Sequence, residues 1–122
     1  MNWSAAAALM LALGVILGAF GAHALRGRLD DYLMSVYEKA VFYHYIHTLG
    51  ALIVSLMPKV GAITEAKAGW VCALLLGGVA IFSGSLYALA LTGYRGLGAI
   101  TPIGGLSFIA GWMMLAWALI KK

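Results

Sequence analysis

The chain has 122 residues, 64% of them apolar and 10% charged, with a formal net charge of +4. A soluble domain carries about 45–50% apolar and about 25% charged residues and buries only part of its apolar surface, so water is excluded as the main solvent and lipid takes its place. The sparse charge excludes the dense basic face of a nucleic-acid binder, and the single cysteine, Cys72, excludes an internal disulfide and reads as a small buried hydrophobe.

The eight basic and four acidic side chains fall in four patches, at 26–39, 59–67, Arg95 and 121–122. Between them lie charge-free runs at 3–25, 40–58, 68–94 and 96–120. Each is close to or above the about 20 residues that a helix needs to cross hydrocarbon. Lipid leaves a short segment no way but a helix to satisfy its backbone, and the runs lack the alternation of barrel strands. The sequence predicts an all-α integral membrane domain over 1–122, a bundle of four transmembrane helices at about 3–25, 32–57, 68–92 and 101–120. The connections are short, so consecutive helices are expected to be antiparallel, up-down neighbours with both termini on one face.

The first span repeats small residues every four positions, at Gly14, Gly18 and Ala22, a pattern that lets helices approach closely in lipid. Ala22-His23-Ala24 resembles a signal-peptidase site. Met1 to Ser4 carry no Lys or Arg, so the basic region of a signal peptide is missing and the span is expected to be retained. Gly27, Asp30 and Asp31 form the turn that follows.

The second span carries Glu38, Lys39, Tyr43, His44, Tyr45 and His47. Ionisable groups at membrane depth are costly, and that makes them functional candidates. At about 3.6 residues per turn, His44 and His47 share a face with Tyr37 and Thr48, while Glu38 points away with Phe42, Tyr45 and Leu49. Lys39 lies near the interface, where a long side chain snorkels. His23 ends the first span where the second begins, within expected reach of Glu38 or Tyr37. The candidate polar cluster is His23, Tyr37, Glu38, His44, His47 and Tyr87. It admits three readings: interhelical hydrogen bonds, a proton or metal-ion relay based on histidine's titration near neutrality, or haem or metal ligation. Two histidines without clustered Cys or carboxylates fall short of the usual metal set, so no cofactor is expected.

The second span ends at Pro58 and Gly61. The third repeats Ala80, Gly84, Ala88 and Thr92, again expected as a packing stripe. Gly93, Gly96 and Gly98 break the chain around Arg95, whose guanidinium suits a headgroup or another anion. Thr101 and Pro102 read as N-cap and first residue of the fourth helix, and Ser107 and Gly111 form a shorter packing pair. Trp3, Trp70 and Trp117 fall at the terminal face, and Tyr32, Tyr37 and Tyr94 at the other, as interfacial anchors do. Lys59, Lys67, Lys121 and Lys122 mark the terminal face, and Arg26, Arg28, Lys39 and Arg95 the opposite one. Discounting Lys39, inside a helix, tips the termini toward the cytoplasm.

Gly18-Ala19-Phe20-Gly21-Ala22-His23-Ala24-Leu25 resembles the opening signature of the YgdD/YwdK-like family of small membrane proteins. The stretches 82–87 and 97–105, Tyr43-His44, His47 and Gly111-Trp112 are similar to the rest of that family's pattern. The resemblance covers nearly the whole chain and implies an inner-membrane protein of bacteria, with animal relatives. It carries over His23, His44, His47, Ser83, Ser85, Tyr87, Thr101 and Pro102 as signature residues, with no assigned role. The expectation is a non-enzymatic membrane component acting through the lipid bilayer, a second copy or other membrane proteins. A small transporter or channel and a haem-binding redox protein are the alternatives.

Overall fold

The computed structural model describes residues 1–121. Lys122, counted above on the terminal face, lies outside them. The fold is all-helical: α1 is Trp3–Phe20, α2 Asp31–Leu56, α3 Glu65–Thr92 and α4 Thr101–Ile120. All four are long and apolar enough to cross a membrane.

Local chemistry fixes the ends. The Asn2 side chain accepts from Ala5 N at 3.0 Å and opens α1. At Gly21 the helix widens into a π-turn over Gly21–Leu25, and Gly27, at φ +88°, reverses the chain. Asp30 Oδ1 accepts from Leu33 N at 2.7 Å to start α2, which closes through a 3₁₀ turn, Met57–Val60. Thr64 caps α3 by accepting from Lys67 N at 3.2 Å. This helix therefore begins three residues before the position expected from its charge-free run. Absence of charge marks the hydrocarbon boundary, whereas the cap and the first turn with Glu65 and Lys67 project beyond it.

The start of α4 differs from the expectation in a second way. Thr101 is the first helical residue and not the cap; Ile100 holds the cap position without a side-chain bond. The Thr101 hydroxyl instead lies 2.6 Å from Ser85 Oγ on α3. A packed hydroxyl partner on the neighbouring helix has taken the side chain that a solvent-facing N-cap would have used.

The helices form a central α2–α3 pair with α1 seated mainly on α2 and α4 mainly on α3. Consecutive helices are neighbours, as the short connections require. The closed square in which first and last helices also pack together is not formed: the contacts of α1 run to α2 and slightly to α3. Much of α1 and α4 therefore faces lipid with Leu9, Ile16, Leu106 and Ile109, all more than half exposed.

Close contact at glycine holds the α3–α4 pair. A methyl added at Gly104 would lie 2.5 Å from the backbone nitrogen of Phe82, and one added at Gly78 would lie 2.6 Å from the Phe108 ring. Ser107 donates to the Leu74 carbonyl at 2.6 Å, and Gly111 sits against Leu74 and Leu75. In lipid such backbone approach and hydrogen bonding hold helices that no hydrophobic effect drives together.

Candidate functional site

α2 organises the interior. Its aromatic side chains address the main-chain carbonyls of α1: Tyr37 donates to Leu17 O, Tyr45 to Gly14 O at 2.9 Å, and His44 Nε2 lies 2.8 Å from Met10 O. The small residues of α1 explain why these rings can lie against its backbone. Tyr45 packs over Gly14 and Gly18, and Tyr37 over Gly21. The third small residue of the stripe is thus Gly21. Ala22, expected there, is exposed.

The Met10 carbonyl can only accept, so neutral His44 donates from Nε2 and receives at Nδ1 from the Tyr87 hydroxyl, 2.8 Å away on α3. Tyr37 and Tyr87 lie next to each other, ring centroids 5.2 Å apart. Tyr37 is buried, so it is an interior strut and not the interfacial anchor that its position near the end of α2 implied.

His47 faces the other flank. Trp112 of α4 donates its indole N–H to His47 Nδ1 at 3.0 Å, and an indole nitrogen cannot accept. Neutral His47 therefore carries its proton on Nε2. Its ring stacks on Phe108 with centroids 3.7 Å apart, beside Tyr43. The two histidines share a helix face, as the periodicity predicts, yet address different neighbours. No hydrogen bond links them among the described residues.

Smaller polar groups complete the interior. Ser83 donates to Ala40 O at 2.7 Å, Cys72 Sγ to Ala51 O at 3.3 Å, and Ser4 and Ser55 meet at 2.8 Å near the terminal face. Among the described residues, Thr48 Oγ1 is the buried side-chain polar atom without a partner.

Two members of the expected cluster stand outside it. His23 is exposed on the π-turn and bonds neither Tyr37 nor Glu38. Glu38 pairs with Arg26 at 3.1 Å, both side chains more than half exposed. The inward histidine track is therefore interrupted at its first step, because the π-turn and Gly27 leave Arg26, and not His23, facing Glu38. Tyr37, His44 and Tyr87 come together, and His47 lies apart with Trp112. Arg95 stacks its guanidinium 4.2 Å above the Tyr32 ring, tying the loop before α4 to the start of α2.

The stripe on α3 also has a different role from the one its spacing suggests. The side packed on α4 is set by Gly78 and Phe82, whereas Ala80 is exposed and a methyl at Gly84 would meet nothing within 4 Å. Ala80 and Gly84 border a lipid-side cleft of about 120 Å³ between α1 and α3, with His44 and Tyr87 among its lining. Ser107 and Gly111 do lie in a helix contact, that of α4 with α3.

The sequence reading overlooked Tyr45, Trp112, Phe108 and the glycines at 21, 50, 78 and 104 as contact residues. Trp112 carried a signal: a tryptophan at mid-span, away from either interface, has an indole N–H that needs an acceptor. No group of three or more His, Cys, Asp or Glu side chains is placed to hold a metal ion among the described residues. Haem ligation fits the histidines poorly as they stand, since both His44 nitrogens have protein partners and His47 is stacked on Phe108.

Comparison with known proteins agrees with this architecture. The family described as "Protein of unknown function (DUF423)" matches residues 17–105. A UPF0382 membrane protein of Staphylococcus haemolyticus is 54% identical, the alignment covering 93% of this chain and 91% of the relative. A UPF0382 membrane protein of Staphylococcus epidermidis is 52% identical over 92% of this chain and 88% of its own. The UPF0382 membrane protein YwdK of Bacillus subtilis is 43% identical over 89% of this chain and 88% of its own. No solved structure matches the chain. With four apolar spanning helices and bacterial relatives that are membrane proteins, the chain is a multi-pass protein of the bacterial cytoplasmic membrane, and it belongs to the UPF0382 (DUF423) family, whose function is unknown.

Proposed function

We propose that the chain is a non-enzymatic membrane component that acts by contact with lipid and with other membrane-embedded chains, a second copy included. The observation that carries this reading is the division of labour between inside and outside. Apart from Thr48, the interior hydroxyls, phenols and imidazoles with partners join helix to helix, with both His44 nitrogens and His47 Nδ1 engaged by protein groups. The small-residue side of α3 at Ala80 and Gly84 is left open. Small residues on an unpacked transmembrane face suit close approach by another helix.

The relay reading has less support. A relay needs polar groups within hydrogen-bond reach in series, and the chain of bonds through His44 ends on a main-chain carbonyl of α1. Crosslinking in native membranes from a photoreactive residue at Ala80 tests the proposal. The expected result is a crosslinked dimer or a discrete partner adduct that disappears in Gly84→Leu. Monomer alone overturns the contact reading. Ion flux into proteoliposomes that is lost in both His44→Gln and His47→Gln overturns it in favour of transport.

A further inference from the structure

A cavity lies away from the histidines, at the non-terminal face, where the first turns of α2 meet the end of α3 and the start of α4. It has a volume of about 370 Å³. We infer that this cavity binds the headgroup of an anionic glycerophospholipid of the phosphatidylglycerol class, with the phosphate at Lys39 and an acyl chain leaving along α3. This rests on the reading that the chain works by contact within the bilayer, and it names the lipid.

Charge is the first argument. Lys39 lines the cavity, and the carboxylate beside it in sequence, Glu38, is engaged by Arg26. Among the described residues Lys39 pairs with no carboxylate. A second cation stands at the rim: Arg95 lies over the ring of Tyr32, and Tyr32 is itself part of the wall. Stacking on a ring leaves the guanidinium edges free to donate. No Asp or Glu lines the cavity. Two cations without a facing carboxylate favour a phosphate and give the ammonium of a zwitterionic headgroup no counter-charge.

The hydroxyls give the second argument. Ser35 donates its proton to Tyr32 O at 2.6 Å. Ser85 donates to Phe82 O at 2.9 Å, so the proton in the Ser85–Thr101 bond comes from Thr101. The wall hydroxyls of Ser35 and Thr101 thus have their protons placed inward and keep lone pairs to offer. Lone pairs repel a phosphate and accept from a donor, and beside two cations a neutral alcohol, as a glycerol headgroup provides, is favoured over a charged ammonium. Cations for the phosphate and acceptors for its substituent together describe a glycerol phosphodiester.

Depth is the third. Lys39 stands about 12 Å along the helix from Asp31 at about 1.5 Å per residue, the level where a snorkelling lysine meets the headgroup zone. On α3 the wall is made by Phe82, Leu86 and Leu89; Ser83 bonds Ala40 O, so Phe82 lies at about the depth of Lys39 with the two leucines on its headgroup side, and Pro102 is exposed at the cavity's edge. A soluble anion has no use for that apolar wall, but an acyl chain does.

Native mass spectrometry of the full-length protein, released from micelles supplied with phosphatidylglycerol, phosphatidylethanolamine or phosphatidylcholine, tests the site. The expected result is one retained phosphatidylglycerol and little retention of the other two. Each cation near a membrane surface contributes enough that Lys39→Gln and Arg95→Gln should each weaken retention about fivefold. Lys39→Arg should retain it, and Arg28→Gln, on the same face outside the cavity, should leave it unchanged. Ser35→Trp, which fills the cavity without removing charge, should abolish it. Equal retention of all three lipids overturns the inference, as does an equal loss in Arg28→Gln, which would mean diffuse surface charge. Displacement of the lipid by millimolar inorganic phosphate would assign the site to a soluble anion. None of these outcomes alters the crosslinking result from Ala80, so the site and the broader reading fail separately.

Discussion

Trp112 on α4 and His47 on α2 form the single hydrogen bond between those helices among the described residues, 3.0 Å long. The two helices are not consecutive, so this bond closes a contact that no connecting loop enforces. A double-mutant cycle with Trp112→Phe and His47→Ala should give a coupling of about 0.6 kcal/mol, and not more than about 1.7, the range of hydrogen bonds between membrane helices. His47→Ala alone should cost more, since it also removes the ring stacked on Phe108. Unfolding free energies by steric trapping in bicelles measure both. A coupling of zero would show that the indole bonds elsewhere in the folded protein.

Glycine substitutions should separate into two classes. Gly104→Ala places a methyl against the Phe82 backbone, which cannot rotate away, and should destabilise by about 1–3 kcal/mol. Gly50→Ala meets the Trp112 ring at 2.5 Å and should be damaging to a similar degree, because that ring is pinned by its bond to His47. Gly77→Ala and Gly84→Ala meet nothing within 4 Å and should leave the melting temperature in detergent unchanged. A uniform response across the four positions would contradict the packing described.

The polar groups should divide in the same way. Glu38→Gln breaks an ion pair whose two side chains are more than half exposed, and should cost less than about 1 kcal/mol. His44→Ala leaves the Tyr87 hydroxyl without its acceptor inside the protein and should cost about 1–3 kcal/mol. Thermal unfolding in micelles ranks the two variants, and the reverse order would remove His44 from its structural role.

Asp30→Ala deletes the side-chain cap of α2 and should destabilise by about 1 kcal/mol, with Asp30→Asn restoring most of it. Hydrogen exchange at Leu33 reports directly, because its amide is the capped donor. Unchanged protection there would place the cap elsewhere.

The spans were legible because hydrocarbon imposes one simple rule, that charges stay out of it, and Arg26 to Lys39 and Lys59 to Lys67 obey it. The pairings within them were less so, for a geometric reason. Periodicity places His44 and His47 on one face of α2, but which helix each meets depends on rotations about helix axes that a single sequence leaves open. His23 shows the same limit: its partners across the hairpin depended on a π-turn that adds rotation at Gly21. A repeat of small residues reports that something approaches closely, and on α3 it did not distinguish Gly78, under Phe108, from Gly84, beside open space.

The anchoring of α1 through Met10, Gly14 and Leu17 uses their carbonyl oxygens, atoms that every amino acid possesses. What holds the helix in register is therefore written in the sequence of α2, at Tyr37, His44 and Tyr45. Provided Gly14, Gly18 and Gly21 stay small, the outward residues of α1 are free to drift among apolar types without losing their moorings. A saturation library of this protein should accordingly tolerate exchange at Leu9, Ile16 and their neighbours while purging changes in three aromatic side chains more than twenty positions downstream of the nearest of them.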